Sequence, residues 1–114
     1  MIDVEYYRKE NGECPFEEFA SSLKTGLREK LYLSIHALAE YGPVLRAPVS
    51  KPLGDGLFEL RTMFGFDTTR TVFFFVAGGR AIITHGFVKK SQKTPLRELR
   101  KAKRYRKDWL RRYG

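Results

Sequence analysis

Three strand-length segments, "GLFELRTM" (56–63), "TRTVFFFVA" (69–77) and "RAIITHGF" (80–87), follow one another across one short connection and then the pair Gly78-Gly79. A parallel return needs a crossover of a dozen or so residues, so segments this close must pair as antiparallel neighbours. The Gly-Gly step suits a tight hairpin turn. The middle run is β-branched and aromatic, which predicts a buried central strand. In the first run Phe58, Leu60 and Thr62 share one face, while Leu57, Glu59, Arg61 and Met63 share the other.

The flanking segments supply helices and one more strand. "IDVEYYRK" alternates, with Ile2, Val4 and Tyr6 on one side, and reads as a first strand. In "CPFEEFASSL", Pro15 suits a first helical position, Glu17 and Glu18 favour the positive end of the dipole, and Phe16, Phe19 and Leu23 form a stripe. A short helix over 15–23 is predicted. Leu27, Leu31, Ile35 and Leu38 recur at four- and three-residue steps, with Thr25 placed to cap the start and Gly42-Pro43 to end the helix. His36 falls within it and reads as structural. Residues 42–56 hold three prolines and three glycines, which predicts an irregular connection.

After Thr94, a candidate N-cap, and Pro95, a last helix is predicted to run nearly to residue 114. Leu96, Leu99, Ala102, Tyr105, Trp109, Leu110 and Tyr113 take roughly one half of its wheel. Arg97, Arg100, Lys101, Arg104, Lys107, Arg111 and Arg112 take the other. The predicted order is β-α-α-β-β-β-α, an α+β domain with helices packed on a mostly antiparallel twisted sheet.

With 42% hydrophobic residues, the 114 residues suffice for one domain spanning 1–114. One cysteine, Cys14, cannot form an internal disulfide, and no Cys/His group has metal-ligand spacing. A reducing cytoplasm is therefore expected, with neither metal nor cofactor. The N-terminus is charged from its third residue, which argues against a signal peptide. The longest apolar run, "VFFFVA", is far short of a membrane span.

Charge is the other constraint. Residues 89–114 carry twelve Lys or Arg against Glu98 and Asp108, whereas the first 88 residues carry ten bases and eleven acids. The net charge of +9 is thus concentrated in one terminal segment and favours a polyanionic partner.

The combination ELR, R-x-V-F-F, GG-R, HGF-x-KK and K-T-P across residues 57–95 resembles the last three strands of RelE/HigB-type toxins of bacterial type II toxin–antitoxin modules. It resembles most the HigB-like branch also found in phages. The resemblance implies a RelE fold and a ribosome-dependent endoribonuclease that cuts mRNA during translation. It also implies mRNA and ribosomal RNA as partners, and a cognate helix-turn-helix antitoxin with which the chain forms a hetero-oligomer.

Metal-free RNA cleavage needs the 2′-OH deprotonated, cations on the phosphorane and a proton for the leaving 5′-oxygen. Arg61, Arg70, His85, Lys89 and Lys90 match the region where the family holds its reactive groups and are the candidate catalytic residues. Lys93, Arg97, Arg100, Lys101, Arg104 and Lys107 are the candidate RNA-binding residues. Against these roles stand ordinary ones: an Arg61–Glu59 surface pair, a histidine packed beside Phe87 or Ile83, a solvated lysine turn. The chain also departs from several RelE-type enzymes, which carry lysines on the second strand and a tyrosine near the start of the last helix. Here those neighbourhoods offer Leu57 and Glu59, then Pro95 and Leu96, so the base is left open and Glu59 is one candidate. Tyr105 and Tyr113 read as packing residues. Two further readings stay open: a ParE-like toxin that inhibits DNA gyrase without enzymatic activity, and a non-toxic nucleic-acid-binding module.

Overall fold

The computed structural model describes residues 1–90 and 93–114. Its elements are β1 (Asp3–Tyr6), α1 (Pro15–Ser21), α2 (Thr25–Tyr41), a 3-10 turn (Gly42–Val44), β2 (Ser50–Gly54), β3 (Leu57–Phe64), β4 (Asp67–Val76), β5 (Arg80–Val88) and α3 (Leu96–Tyr113). The five strands form one sheet in the order β1-β5-β4-β3-β2. β1 pairs parallel with β5, and every other pair is antiparallel. This is the α+β architecture of a RelE-like fold.

The alternation in the strands separates two cores. On one face α1 and α2 bring Phe16, Ala20, Leu31, Ile35 and Leu38 against Leu60, Phe73, Ala81 and Ile83. On the other, α3 brings Ala102, Tyr105 and Trp109 against Leu57, Val72, Phe74, Ile82 and Phe87. α3 rests on β4 and β5. It also covers Leu57 at the start of β3, and the candidate site lies further along β3, from Glu59 to Arg61, beside the segment that leads into α3.

Four expectations are corrected. Residues 42–56 are not irregular throughout: they hold the 3-10 turn and β2, an edge strand paired with β3. Pro52 is tolerated there because an edge strand needs hydrogen bonds on one side only. Neither threonine caps a helix. Lys24 and Pro95 occupy the N-cap positions, and Thr94 turns inward instead. His36 is exposed on α2 rather than packed. Finally, the buried stripe of α3 is Glu98, Ala102, Tyr105 and Trp109, while Leu96, Leu110 and Tyr113 are exposed. At about 100° per residue, Leu96 and Leu110 lie about 160° and 120° around the helix from Glu98, too far to reach the sheet. Among the described residues no helix is long and apolar enough to cross a membrane.

Candidate active site

Period-two alternation places Glu59 and Arg61 of β3 on the same face as Arg70 of β4. Arg61 and Arg70 are direct cross-strand partners, a like-charge arrangement that is unfavourable by itself. Glu59 offsets it. Its Oε1 accepts from Arg70 Nε at 2.9 Å and lies 3.7 Å from Lys89 Nζ; its Oε2 accepts from the Thr94 hydroxyl at 2.7 Å. Lys89 Nζ also reaches Thr94 Oγ1 at 3.4 Å. The Glu59, Arg70 and Lys89 side chains are 2%, 6% and 4% exposed, so one carboxylate holds two cations almost out of water.

Such a cluster is costly to desolvate and persists only with its partners in place. Burial pushes the Lys89 ammonium below the ordinary lysine range; the Glu59 carboxylate opposes this and the Arg70 charge adds to it. Two cations on one anion leave a net positive charge, with half-buried Arg61 beside it and Lys51, the cross-strand partner of Glu59, exposed at the rim. The backbone N–H of Lys89 donates to the Thr68 carbonyl at 2.9 Å, which ties the lysine to the end of β4. Lys90 is exposed next to it. The expected "KKSQK" edge includes residues 91–92, which lie outside the described residues; Lys93, beyond them, is exposed.

His85 occupies a different environment. The β4–β5 register runs Val72↔His85 and then Phe73↔Ile83, so Thr84 is an extra residue in a β-bulge. Before the bulge Ile82 faces α3; after it His85 and Phe87 do, and Gly86 takes the opposite face against α1. Had Thr84 taken an ordinary place in the ladder, regular alternation would have turned His85 toward α1. A Cβ at Gly86 would stand 2.5 Å from Phe19 Cδ2, so α1 leaves room there for glycine alone. The "HGF" triplet is thus a packing requirement: histidine and phenylalanine under α3, glycine under Phe19.

The imidazole is 3% exposed. Its Nε2 lies 3.0 Å from Glu98 Oε1 and its Nδ1 3.0 Å from the Thr84 hydroxyl. The Tyr105 and Phe87 rings flank it at 5.8 and 6.0 Å. Burial lowers its pKa to about 4 against the pull of Glu98, with Lys101 and Arg104 adding to the fall. At neutral pH it is an uncharged ring that donates to Glu98 through Nε2, while its Nδ1 faces the Thr84 hydroxyl, which itself donates to the Val72 carbonyl at 3.1 Å. Both nitrogens are therefore enclosed by the protein.

A stability prediction follows from that shift. Above pH 6.5 the histidine is neutral in both the folded and the unfolded chain. Between pH 6.5 and about 4 the unfolded chain takes up a proton that the folded one refuses, so stability falls on acidification. The loss expected from this residue is on the order of 3 kcal/mol. Urea midpoints at pH 7 and pH 4.5 should differ by less in His85→Gln than in the parent; an equal difference in the two proteins would rule the account out.

The remaining candidates lie along α3. Arg97, Arg100, Arg104 and Lys107 are exposed and Lys101 is half-buried. Glu98 draws Arg97 (3.6 Å) and Lys101 (3.7 Å) toward the helix base. Arg104 lies 5.4 Å over the Tyr105 ring. Tyr105 itself stacks on Tyr7 at 4.7 Å, whereas Tyr113 is exposed. The structure therefore joins Arg70 and Lys89 with Arg61 alongside, sets His85 apart beneath α3, and spreads the α3 cations over an outer surface. Sequence reasoning had noted Glu59 but not its hold on Arg70 and Lys89, and it missed Thr94 and Glu98 as partners. Glu98 did leave a signal, since it shares the helical spacing of Ala102, Tyr105 and Trp109.

Residues 18–107 match the family model described as Phage derived protein Gp49-like (DUF891). No curated protein sequence matches the chain. The match takes in α2, the whole meander, the Glu59–Arg70–Lys89 cluster and most of α3. The chain belongs to the Gp49-like family of phage-derived proteins, a family of RelE/toxin-like kind.

Proposed function

We propose that this protein is the toxin of a type II toxin–antitoxin pair and cuts mRNA on the translating ribosome in the cytoplasm, without a metal, as HigB-like toxins do. The observation that carries the reading is the pair of buried cations, Arg70 and Lys89, held on one carboxylate next to the half-buried Arg61. In RNA cleavage the 2′-OH gives up its proton to solvent as its oxygen attacks phosphorus, the P–O5′ bond breaks, and a 2′,3′-cyclic phosphate and, once the 5′-oxygen is protonated, a 5′-hydroxyl result. Arg70 is suited to the charge that builds on the phosphorane oxygens, with Arg61 beside it. Lys89, acidified by burial, is suited to protonate the departing 5′-oxygen. Glu59 holds both cations in position.

In this reading His85 acts from behind the site, fixing the start of α3 through Glu98 and so placing Thr94 and Lys89. Lys90 and Lys93 grip the message. Arg97, Arg100, Lys101, Arg104 and Lys107 dock on ribosomal RNA, with the strong salt dependence that phosphate contacts confer. A helix-turn-helix antitoxin would neutralise the protein by covering this cationic surface in a hetero-oligomer.

The test is mRNA cleavage in a translating extract, comparing the parent with Arg70→Ala/Lys89→Ala/Lys90→Ala after circular dichroism shows both folded. The variant should lose about a hundredfold or more in cleavage rate. Equal cleavage would refute the assignment of these residues. Growth arrest with intact message and inhibited gyrase would instead favour the ParE-like reading.

A further inference from the structure

The turn between β3 and β4 exposes an aromatic tip that the catalytic reading leaves unused. Phe66 is fully exposed, and Met63 and Phe64 are about half exposed. Phe64 pairs with Asp67 and leaves a two-residue turn, Gly65-Phe66, with Gly65 at φ +63°. The position is not loose. The Phe64 ring lies so close to α2 that a Cβ at Gly26 would stand 2.7 Å from it, which anchors the hairpin to that helix. A rigid hairpin thus holds one phenylalanine out into water, an arrangement folding alone does not favour.

The surroundings are cationic. Thr68, two residues beyond Phe66, accepts the Lys89 N–H, so the tip adjoins Lys89 and Lys90 at the end of β5. β2 pairs with β3 only as far as Leu60, and the Arg61 N–H donates to the Val49 carbonyl at 2.7 Å, so the β2 side of β3 is without a paired strand only beyond Arg61. A groove of about 230 Å³ runs along that edge, lined by Lys30, Ser34, Arg61 and Met63 among others. Asp67 is the acid at the tip itself. An aromatic ring at the end of a basic groove is the arrangement single-stranded nucleic acid uses: cations follow the phosphates and the ring stacks on a base.

We propose that Phe66 is a base-stacking residue, which takes one unpaired nucleobase of the RNA strand whose phosphates run along Arg61 and Lys30 toward Lys89 and Lys90. The inference deepens the RNA reading above and rests on it for the identity of the ligand. Charge complementarity selects RNA over a protein partner: three side chains make a small apolar patch, and the cations beside it favour a polyanion.

Binding of a short single-stranded oligoadenylate, and of an abasic ribose-phosphate strand of equal length, tests this in the parent, Phe66→Ala and Phe66→Trp. Phe66→Ala should bind oligoadenylate about tenfold or more weakly, with an unchanged salt slope because no phosphate contact is lost. Phe66→Trp should retain binding, and its fluorescence should be quenched by the stacked base. The abasic strand should not distinguish the variants. Lys90→Ala should instead lower the salt slope by about 0.7. Parent-like binding by Phe66→Ala, an equal loss on the abasic strand, or no binding of oligoadenylate by the parent would overturn the proposal. So would a change in sedimentation showing that Phe66 joins two copies. The readouts separate the two ideas: cleavage with a silent Phe66 removes this proposal alone, and stacking without cleavage removes the nuclease reading alone.

Discussion

Glu59→Ala should lower the stability of the folded chain by about 3–5 kcal/mol, the usual effect of leaving buried charges without their partner. A domain of this size has about 5–15 kcal/mol in total, so the variant should be marginal at 37 °C. The cause is specific. Arg70 and Lys89 are both nearly out of water and both face the same carboxylate oxygen, and Thr94 donates to the other. Glu59→Gln should retain the Thr94 contact while losing the charge, and should fall between parent and alanine. The triple replacement Glu59→Met/Arg70→Met/Lys89→Met should recover most of the stability, because removing all three charges also removes their desolvation cost. It should nevertheless fail to cut message. Urea unfolding decides the matter: a Glu59→Ala unfolding free energy within about 0.5 kcal/mol of the parent would mean that water reaches the cluster.

Phe73→Ala should cost a similar amount, about 3–5 kcal/mol, for a different reason. Phe73 is fully buried on the α1/α2 face of β4, stacked on Phe58 at 5.6 Å and edge-on to Phe75 at 5.4 Å. Truncation leaves a cavity that the sheet and two helices cannot close together. The melting temperature should drop by roughly 15 °C or more. Phe75→Ala, at a half-buried position in the same cluster, should cost clearly less. If both variants melted alike, the core on this face would be looser than the packing indicates. Neither change touches the cationic face, so RNA affinity measured well below the transition should survive in both.

These two effects rest on features of different legibility. Phe73 was recognisable as buried from "TVFFFVA" alone, because a β-branched and aromatic run between two antiparallel neighbours has no other place to go. The hub role of Glu59 was not. Its alternation put it on the Arg61 face, and the nearest inference was an Arg61–Glu59 pair within one strand. Its partners instead come from the next strand and from beyond β5.

What the sequence determined by itself was the local order. The β1 strand, α1, α2, the β3–β5 meander and the amphipathic α3 all follow from hydrophobic periodicity and short connections, which act within a few residues and survive in any tertiary context. The concentration of basic residues after Val88 was equally plain. What only the tertiary structure decided was where the polar side chains go. β2 hides behind Pro52, because an edge strand needs its neighbour to exist at all. A single-residue bulge at Thr84 reverses the alternation of β5 and moves His85 from the α1 side to beneath α3. Glu98 sits on the buried stripe because a histidine from another element waits there. Faces follow from the chain's own periods, whereas charge pairs depend on register between segments distant in sequence, which is fixed only when the sheet closes and the helices settle on it.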